Sequence, residues 1–369
     1  MLRWALRSLI SRPVAFAVGV AAAASALLLV MFYEAVWAGE GENIIAYPRN
    51  AGADVWVMQR GVTNMHMATS YISDYKVTQI RELQGVAAAE PILYLNTVVE
   101  AGGQQWFAYV VGLDAPAERT GPWEMATGER VPGDGEVVVP DVFASMAGVA
   151  LGDSLRIVDH EFEIVGLSRG TFSMANSVIF VTRRDVEDIM SSLDIVSFVL
   201  VTAEQSVVPE LLASRIEEEV EKVEALPTAQ FLENDRQLAL QMGVETVALM
   251  TFICGLLAVL LISFTVYSQI ARQRRELAVV KALGAGNLSL YLCVCAQAAV
   301  LGITSVILAT LLAVVLMPIV TAAIPMVTMQ LTVASVLRTA VAGVLVAMIA
   351  SLIPARRIAR LDPMTAFQS

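Results

Sequence analysis

The stretch VETVALMTFICGLLAVLLISFTVYSQIARQRRELAVVKALGAG, Val244–Gly286, decides how the rest of the chain is read. Residues 244–268 form an apolar run whose one charged residue is Glu245, and the run exceeds the roughly 20 residues that a bilayer-crossing helix requires. Its character then changes abruptly. Arg272, Arg274, Arg275 and Lys281 crowd into a short helical segment in which Arg272 and Glu276 share one face while Leu277 and Val280 turn away from it,. A Gly284-Ala285-Gly286 hinge ends that segment. Working outward, the same length criterion selects residues 14–37, 288–317 and 331–353,. Within lipid only helices or closed barrels satisfy their backbone, and these runs lack the period of two that barrel strands show. The fold class is therefore membrane α-helical, with four transmembrane helices.

Basic residues orient the spans. Arg3, Arg7 and Arg12 precede the first, the cluster at 272–281 follows the second, and Arg356, Arg357 and Arg360 follow the fourth. Positive-inside then puts residues 1–13, 269–287 and 354–369, and hence both termini, in the cytoplasm. Residues 38–228 and the apolar loop 318–330, with Pro318 and Pro325, face outward. The first run could instead be a cleaved signal peptide, with Val36-Trp37-Ala38 as its small-residue site, but it is longer than a signal core of roughly 7 to 15 residues and reads as an anchor,. Trp4 and Trp37 bracket it as interfacial residues do,. Ala17, Ala21 and Ser25, with Gly19 and Ala23 beside them, make a smooth strip suited to close helix packing,.

Composition agrees with this partition. The 369 residues are 57% hydrophobic and 16% charged, with a mean hydropathy of +0.66, too apolar for an ordinary water-soluble chain. The net charge of −11 conceals two opposite halves: residues 34–243 carry 13 basic and 32 acidic residues, and the remainder 11 and 3. Nucleic acid is excluded as a partner of so acidic a body, because phosphate contact rests on clustered Lys and Arg. Cys254, Cys293 and Cys295 all lie in apolar runs and cannot staple the aqueous part,.

Between spans one and two the pattern becomes mixed. DVWVM, PILYLNTVV, QWFAYVVGL, EVVV, SVIFV and VSFVLV read as strands, and SLRIV with FEIVGL as a hairpin about Asp159-His160,. Residues 74–84, 141–147, 183–192 and an acidic stretch 206–224 read as helices,. This is an α+β extracytoplasmic domain, with a smaller lobe inserted at about 112–170. Residues 229–243 extend the second span outward as a helical stalk, and Glu217–Glu221 is a solvated helix face,.

At this point a resemblance emerges. RRELAVVKALGA (Arg274–Ala285) resembles the Arg-x-x-Glu-[Ile/Leu]-[Gly/Ala]-x-x-[Arg/Lys]-Ala-[Leu/Ile]-Gly-Ala signature of MacB/FtsX-like ABC transporter permeases. Arg275 is displaced from the family arginine, whose place falls to Arg272 or Arg274. IPARRIARLDPMTAF (Ile353–Phe367) is similar to the family's closing segment, in which a proline ends the last span. GEVVVPDVFASMAGVALGDSLRI with FEIVGL resembles its extracytoplasmic core domain, with Gly152-Asp153 and Gly166 at the family's turns.

The resemblance implies a homodimer in the cytoplasmic (inner) membrane, bound to a separate pair of ABC ATPase subunits that hold ATP and Mg. No Gly-x-x-x-x-Gly-Lys-[Ser/Thr] phosphate loop occurs in this sequence,. Arg272, Arg274, Arg275, Glu276, Lys281, Ala282, Gly284 and Ala285 become the ATPase-coupling residues, although a basic helix of this kind equally suits an anionic lipid surface,. Spans one and two would line the dimer interface. The implied mode of action is mechanical, with nucleotide-driven movement of the coupling helix passed through the spans to the stalk and outer domain. Export or extraction of a hydrophobic or amphipathic cargo is the expected function, with a membrane-fusion adaptor as a further partner; the spans hold few charges and no relay of the kind ion pumps use,. A regulator of a cell-wall hydrolase or sensor kinase is the alternative, against which the length of the 38–228 segment argues.

Heme-exporting members use methionine and glutamate near an outer cavity, and Met31, Glu34, Met242 and Glu245 make heme a candidate cargo beside the plainer reading of interface packing,. Met65-His66-Met67 with Met58 has the soft-ligand composition that suits Cu(I), or is a loop with chance methionines,. His66 and His160 are the only histidines and neither sits in a Ser/His/Asp arrangement, which speaks against a membrane enzyme,.

Overall fold

The computed structural model describes residues 13–359 except 67, 68, 115, 116, 118, 174–176, 193, 284 and 325, with backbone alone at 238–248, 251, 274, 275, 277, 278 and 357–359. The chain begins with helix α1 (Pro13–Ile44), then α2 (Ala46–Asn50), β1 (Val55–Gln59), β2 (Ile72–Ser73), α3 (Tyr75–Arg81), β3 (Val86–Ala101) and β4 (Gln104–Leu113). Next come β5 (Met125–Gly128), β6 (Glu136–Pro140), α4 (Asp141–Ala147), β7 (Ser154–Ile157), β8 (His160–Ser168), β9 (Val178–Thr182) and α5 (Arg183–Met190). Strands β10 (Ile195–Val196), β11 (Phe198–Ala203) and β12 (Val223–Pro227) flank α6 (Pro209–Glu219), and helices α7 (Thr228–Arg272), α8 (Arg274–Ala282), α9 (Asn287–Ala323) and α10 (Val333–Ala359) close the chain. Two compact units result: a helical one from α1 as far as Gly39, most of α7, and α8 to α10, and an α/β one from residues 40–244 with 325–328.

Four helices of the helical unit are long and apolar enough to cross a membrane: Pro13–Ile44, Phe252–Arg272, Asn287–Ala323 and Val333–Arg356. Small side chains set their spacing. Ala23, Ala24, Leu27, Met31 and Ala35 of α1 pack with Ile262, Val266 and Ile270 of α7 and with Ala298, Leu301, Ala309 and Ala313 of α9. Because lipid tails are as apolar as leucine, close backbone approach rather than water exclusion holds such helices together. Gly302 illustrates the approach: a side chain there would meet Val344 Cα at 3.3 Å and Ala347 Cβ at 3.4 Å, so α9 and α10 lie nearly backbone to backbone. Of the small strip on α1, Gly19 and Ala23 face inward, Gly19 lying against Thr265, whereas Ala17, Ala21 and Ser25 are exposed.

Prolines do not end these helices where expected. α9 continues through Pro318 to Ala323 rather than stopping at 317, and α10 continues through Pro354 to Ala359 rather than closing at 353. Neighbouring helices and local adjustments re-satisfy the carbonyl that proline leaves unpaired, so membrane helices tolerate it. α1 likewise runs past 37 to Ile44, and α7 is one unbroken helix of 45 residues, about 68 Å long at 1.5 Å per residue.

The α/β unit holds a ten-stranded sheet ordered β12-β1-β11-β3-β4-β9-β6-β8-β5, with β7 pairing β3 and β8. Alternation along the strands separates its faces. Val55, Val57, Val199 and Val201 pack with Ile80, Leu212 and Ile216 of α3 and α6. Trp56, Met58, Phe198 and Leu200 turn the other way, onto Tyr47 of α2 and Phe231 at the start of α7. Trp56 and Phe231 stack with centroids 4.6 Å apart, and both are fully buried; each such side chain contributes about 1.5–3 kcal/mol or more.

Three differences from the sequence expectation have physical reasons. Residues 112–170 form no sheet of their own: β6 and β8 join the common sheet through β9, which lies parallel to β4. The acidic helix expected over 206–224 is only Pro209–Glu219, because Val220 turns extended and Lys222 takes φ 59° to start the edge strand β12. Gly152 does occupy a turn, with φ 85°, whereas Gly166 sits within β8. A Cβ at Gly166 would lie 2.0 Å from the Glu129 carbonyl oxygen. Backbone cannot yield cheaply there, so Gly166→Ala is expected to destabilise the fold by about 1–3 kcal/mol. Thermal unfolding of the full chain, followed by tryptophan fluorescence, checks this, and an unchanged midpoint contradicts it.

Candidate functional site

The segment that carried the sequence reading folds as a broken helix. α7 ends at Arg272, Gln273 takes φ −95° and ψ 8°, and α8 starts at once with Arg274. The break falls between Arg272 and Glu276 and interrupts the single helix face expected to hold them both. Gln273 itself is buried, and its Oε1 accepts a hydrogen bond of 2.9 Å from Gln297 Nε2 on α9. A buried amide pair thus ties the turn to the third span, and the cost of leaving either amide unpaired makes that tie rigid.

On α8, Val280 packs against the helical core, and Lys281 is half-buried. Val279, Ala282 and Leu283 are exposed, Leu283 with 83% of its surface uncovered, and Leu288 follows at 72%. The Leu283 N–H donates to the Val279 carbonyl at 3.0 Å, and the Ala285 N–H to Val280 at 3.2 Å, which fixes the turn that presents the leucine. The result is an apolar tip beside Lys281. Of the expected coupling residues, Gly284 lies outside the described residues, and only the backbones of Arg274 and Arg275 are described, both in the first turn of α8.

Two clefts flank α7. The larger, about 770 Å³, lies between α1 and α7 at the α8 end, where Phe16 and Phe264 give way to Gln269, Arg272 and Gln273. The smaller, about 420 Å³, lies between α1, α7 and α10 and includes Glu34 and Arg338. Met31 does not line this cleft with Glu34: it is fully buried in the helical core. Met242 and Glu245 lie on α7 where only backbone is described.

In the α/β unit, the histidine of the Met-His-Met sequence has a structural task. Its Nδ1–H donates to Asp235 Oδ1 at 2.6 Å, and the same oxygen accepts the N–H groups of Met65 and His66 at 3.1 and 3.2 Å. Met58 and Met65 are buried in the aromatic core rather than gathered around an open site, and Met67 lies outside the described residues. Burial first, then Tyr109 and Asp235, push the neighbouring Tyr94 phenol far above its ordinary pKa and keep it neutral. Elsewhere, burial works against the charge of Arg183, but Asp114, Asp74 and Glu187 at 3.2, 3.0 and 2.9 Å outweigh it and raise its pKa. Sequence reasoning missed both clusters, since Asp235 lies 169 residues from His66 and nothing local marks the pair.

Four helices long and apolar enough to cross a membrane, with an exposed apolar tip beside basic residues and an α/β domain joined to them in sequence, define a multi-span membrane protein. The family description "MacB-like periplasmic core domain" matches residues 15–219 and "FtsX-like permease C-terminal" matches residues 248–363. The chain belongs to the MacB/FtsX-like family of ABC transporter permeases, and four spans with such a domain fit an inner-membrane protein. It is 23% identical over 324 residues to an uncharacterized ABC transporter permease of Mycobacterium tuberculosis, covering 86% of this chain and 84% of that one. A Mycobacterium bovis protein of the same description is 22% identical over 318 residues, with the same coverage. Among solved structures, the periplasmic region of MacB from Actinobacillus actinomycetemcomitans matches 52% of this chain and 96% of its own, at TM-score 0.37 and 11% identity. The extracellular domain of the noncanonic ABC-type transporter YknZ from Gram-positive bacteria matches 42% and 89%, at TM-score 0.33 and 11% identity.

Proposed function

We propose that this permease couples ATP hydrolysis on a separate ATPase subunit to the export or extraction of a hydrophobic or amphipathic cargo by mechanical transmission. The ATPase holds ATP and Mg, and this chain contributes no catalytic group. The observation that carries the reading is the tip at Val279, Ala282, Leu283 and Leu288, exposed apolar surface beside basic residues at the end of a 45-residue helix. Exposed apolar patches rimmed by polar groups mark contact with another protein or with a membrane; we take the first, and a stiff helix is what a mechanical signal requires. Glu276, Lys281, Ala282, Leu283 and Ala285 would seat in a groove of the ATPase.

A second copy would close against α1 and α7. Ala17, Ala21 and Ser25 leave a smooth outer strip on α1, and α7 leaves Phe252, Leu256, Leu260 and Phe264 exposed within one protomer. In this arrangement the N- and C-termini are cytoplasmic and the α/β unit is outside, where an adaptor or cargo would meet it. The reading is tested with cysteines at Glu276 and Lys281 in the complex reconstituted with its ATPase. Crosslinks to the ATPase that change on adding ATP are expected. Labelling of those positions from the outer side of the bilayer, or failure to capture any ATPase, overturns it.

A further inference from the structure

The smaller cleft combines apolar walls with three convergent polar groups, and two of these lack hydrogen bonds among the described residues. Val30, Phe252, Leu256 and Val346 supply its walls. Glu34 Oε2 is fully buried yet accepts no hydrogen bond, and it stands 3.6 Å from Arg338 Nη2. That exceeds the roughly 2.7–2.9 Å of a charge-assisted hydrogen bond. Thr339 is only 4% exposed, and its hydroxyl is likewise unpartnered. A carboxylate and a hydroxyl placed among apolar side chains without donors are expensive to keep, and ionisable residues inside a membrane span mark a ligand path by default. The deficit here is of donors. Arg338 supplies the opposite need, a guanidinium with 70% of its side chain exposed that pairs with Glu34 only loosely and has donors to spare for a planar anion,.

One ligand meets both needs: an amphiphile whose head carries an ammonium beside a phosphate or carboxylate. We propose that this cleft binds a single-chain zwitterionic amphiphile, its ammonium held by Glu34 and Thr339, its anion by Arg338, and its hydrocarbon chain lying along Val30, Phe252, Leu256 and Val346. A volume of about 420 Å³ sits toward the small end of ligand sites and suits one chain rather than two,. The assignment rests on the permease reading in taking the amphiphile as the class of cargo. A bilayer phospholipid and an exported amphiphile share this head chemistry.

The probe is a lysophosphatidylethanolamine with a photoactivatable group in its chain, added to the full-length permease. Saturable labelling is expected, with unlabelled lysophosphatidylethanolamine competing at least about tenfold better than lysophosphatidylglycerol, which lacks the ammonium, or an alkylamine, which lacks the phosphate. Glu34→Gln and Arg338→Gln should each weaken binding by at least about tenfold, and Thr339→Val by less. Ala342→Trp fills the cleft without removing a charge and should abolish labelling even if a charge variant fails to fold. Non-saturable labelling, equal competition by all three lipids, labelling unmoved by Ala342→Trp, or a second permease chain crosslinked at Ala342 in the probe's place each overturns the assignment. With the ATPase in vesicles of phosphatidylethanolamine and phosphatidylglycerol, labelling discharged by ATP identifies a transported amphiphile, and labelling that persists identifies a resident lipid; either keeps the site. If the probe fails to bind while ATP-sensitive crosslinks at Glu276 remain, the cleft assignment falls and the permease reading stands.

Discussion

Asp235→Ala is expected to lower the stability of the α/β unit by about 3–5 kcal/mol. The carboxylate is wholly buried, and its Oδ1 is the acceptor for three donors, the Met65 and His66 N–H groups and the His66 ring. Alanine would strand all three, two of them backbone groups that cannot reorient toward water. Beside it, Asn234 Nδ2 donates to the Thr63 carbonyl at 3.2 Å, so two successive residues of α7 pin one loop. Asp235→Asn keeps an acceptor oxygen for the backbone groups but loses the charge-assisted bond, and a smaller loss of about 1–2 kcal/mol is expected. Denaturant unfolding of the full chain, read from Trp56 fluorescence in the adjoining aromatic core, orders the variants. Equal stability of wild type and Asp235→Ala would show that water replaces the lost acceptor. Since marginal domains hold only about 5–15 kcal/mol, the alanine variant should also be depleted from the membrane.

The legibility of this molecule follows the range of the signal. Spans announce themselves because bilayer thickness dictates a contiguous apolar run, and residues 244–268, 288–317 and 331–353 were readable on that ground alone. Strands written as short apolar runs rich in β-branched and aromatic residues, such as Val55–Gln59 and Phe198–Ala203, were equally local. β12 was not, because Glu224 and Pro227 disguise five residues that become a strand only by pairing with β1. The helix ends near Pro318 and Pro354 are not local either, since a proline that would stop a helix in water is carried within α9 and α10,. At the turn after α7 the sequence marked the residue types but not the break at Gln273, whose anchor, Gln297, is 24 residues away. The cleft was half visible: Glu34 was picked out, yet Arg338 and Thr339 join it only through the packing of α10 against α1. Met31 was picked out with it and proved to be core.

Leu283→Asp should weaken the hold on the ATPase by about 100-fold or more while leaving the permease itself as stable as before. The leucine is 83% exposed, and Val279 and Leu288 beside it are 40% and 72% exposed, so its side chain is packed into no core among the described residues. Buried in a partner's groove, a leucine contributes about 1.5–3 kcal/mol, and an aspartate in its place adds the cost of desolvating an unpaired charge, several kcal/mol more. Together these exceed the roughly 2.8 kcal/mol that a hundredfold change in affinity represents. Lys281→Ala acts differently, since a half-buried charge on the rim mainly steers encounter; a few-fold slower association that salt obscures is expected,. Calorimetric titration of the ATPase into reconstituted permease separates the two, and unfolding midpoints of the variants verify that the fold is intact. Wild-type affinity in Leu283→Asp would mean that the tip rests against lipid headgroups instead, in which case Arg272 rather than Leu283 would govern membrane-surface binding and the helix would have no partner to push it. The experiment therefore distinguishes a lever from an anchor, because only a lever needs its apolar tip gripped by a chain that burns ATP.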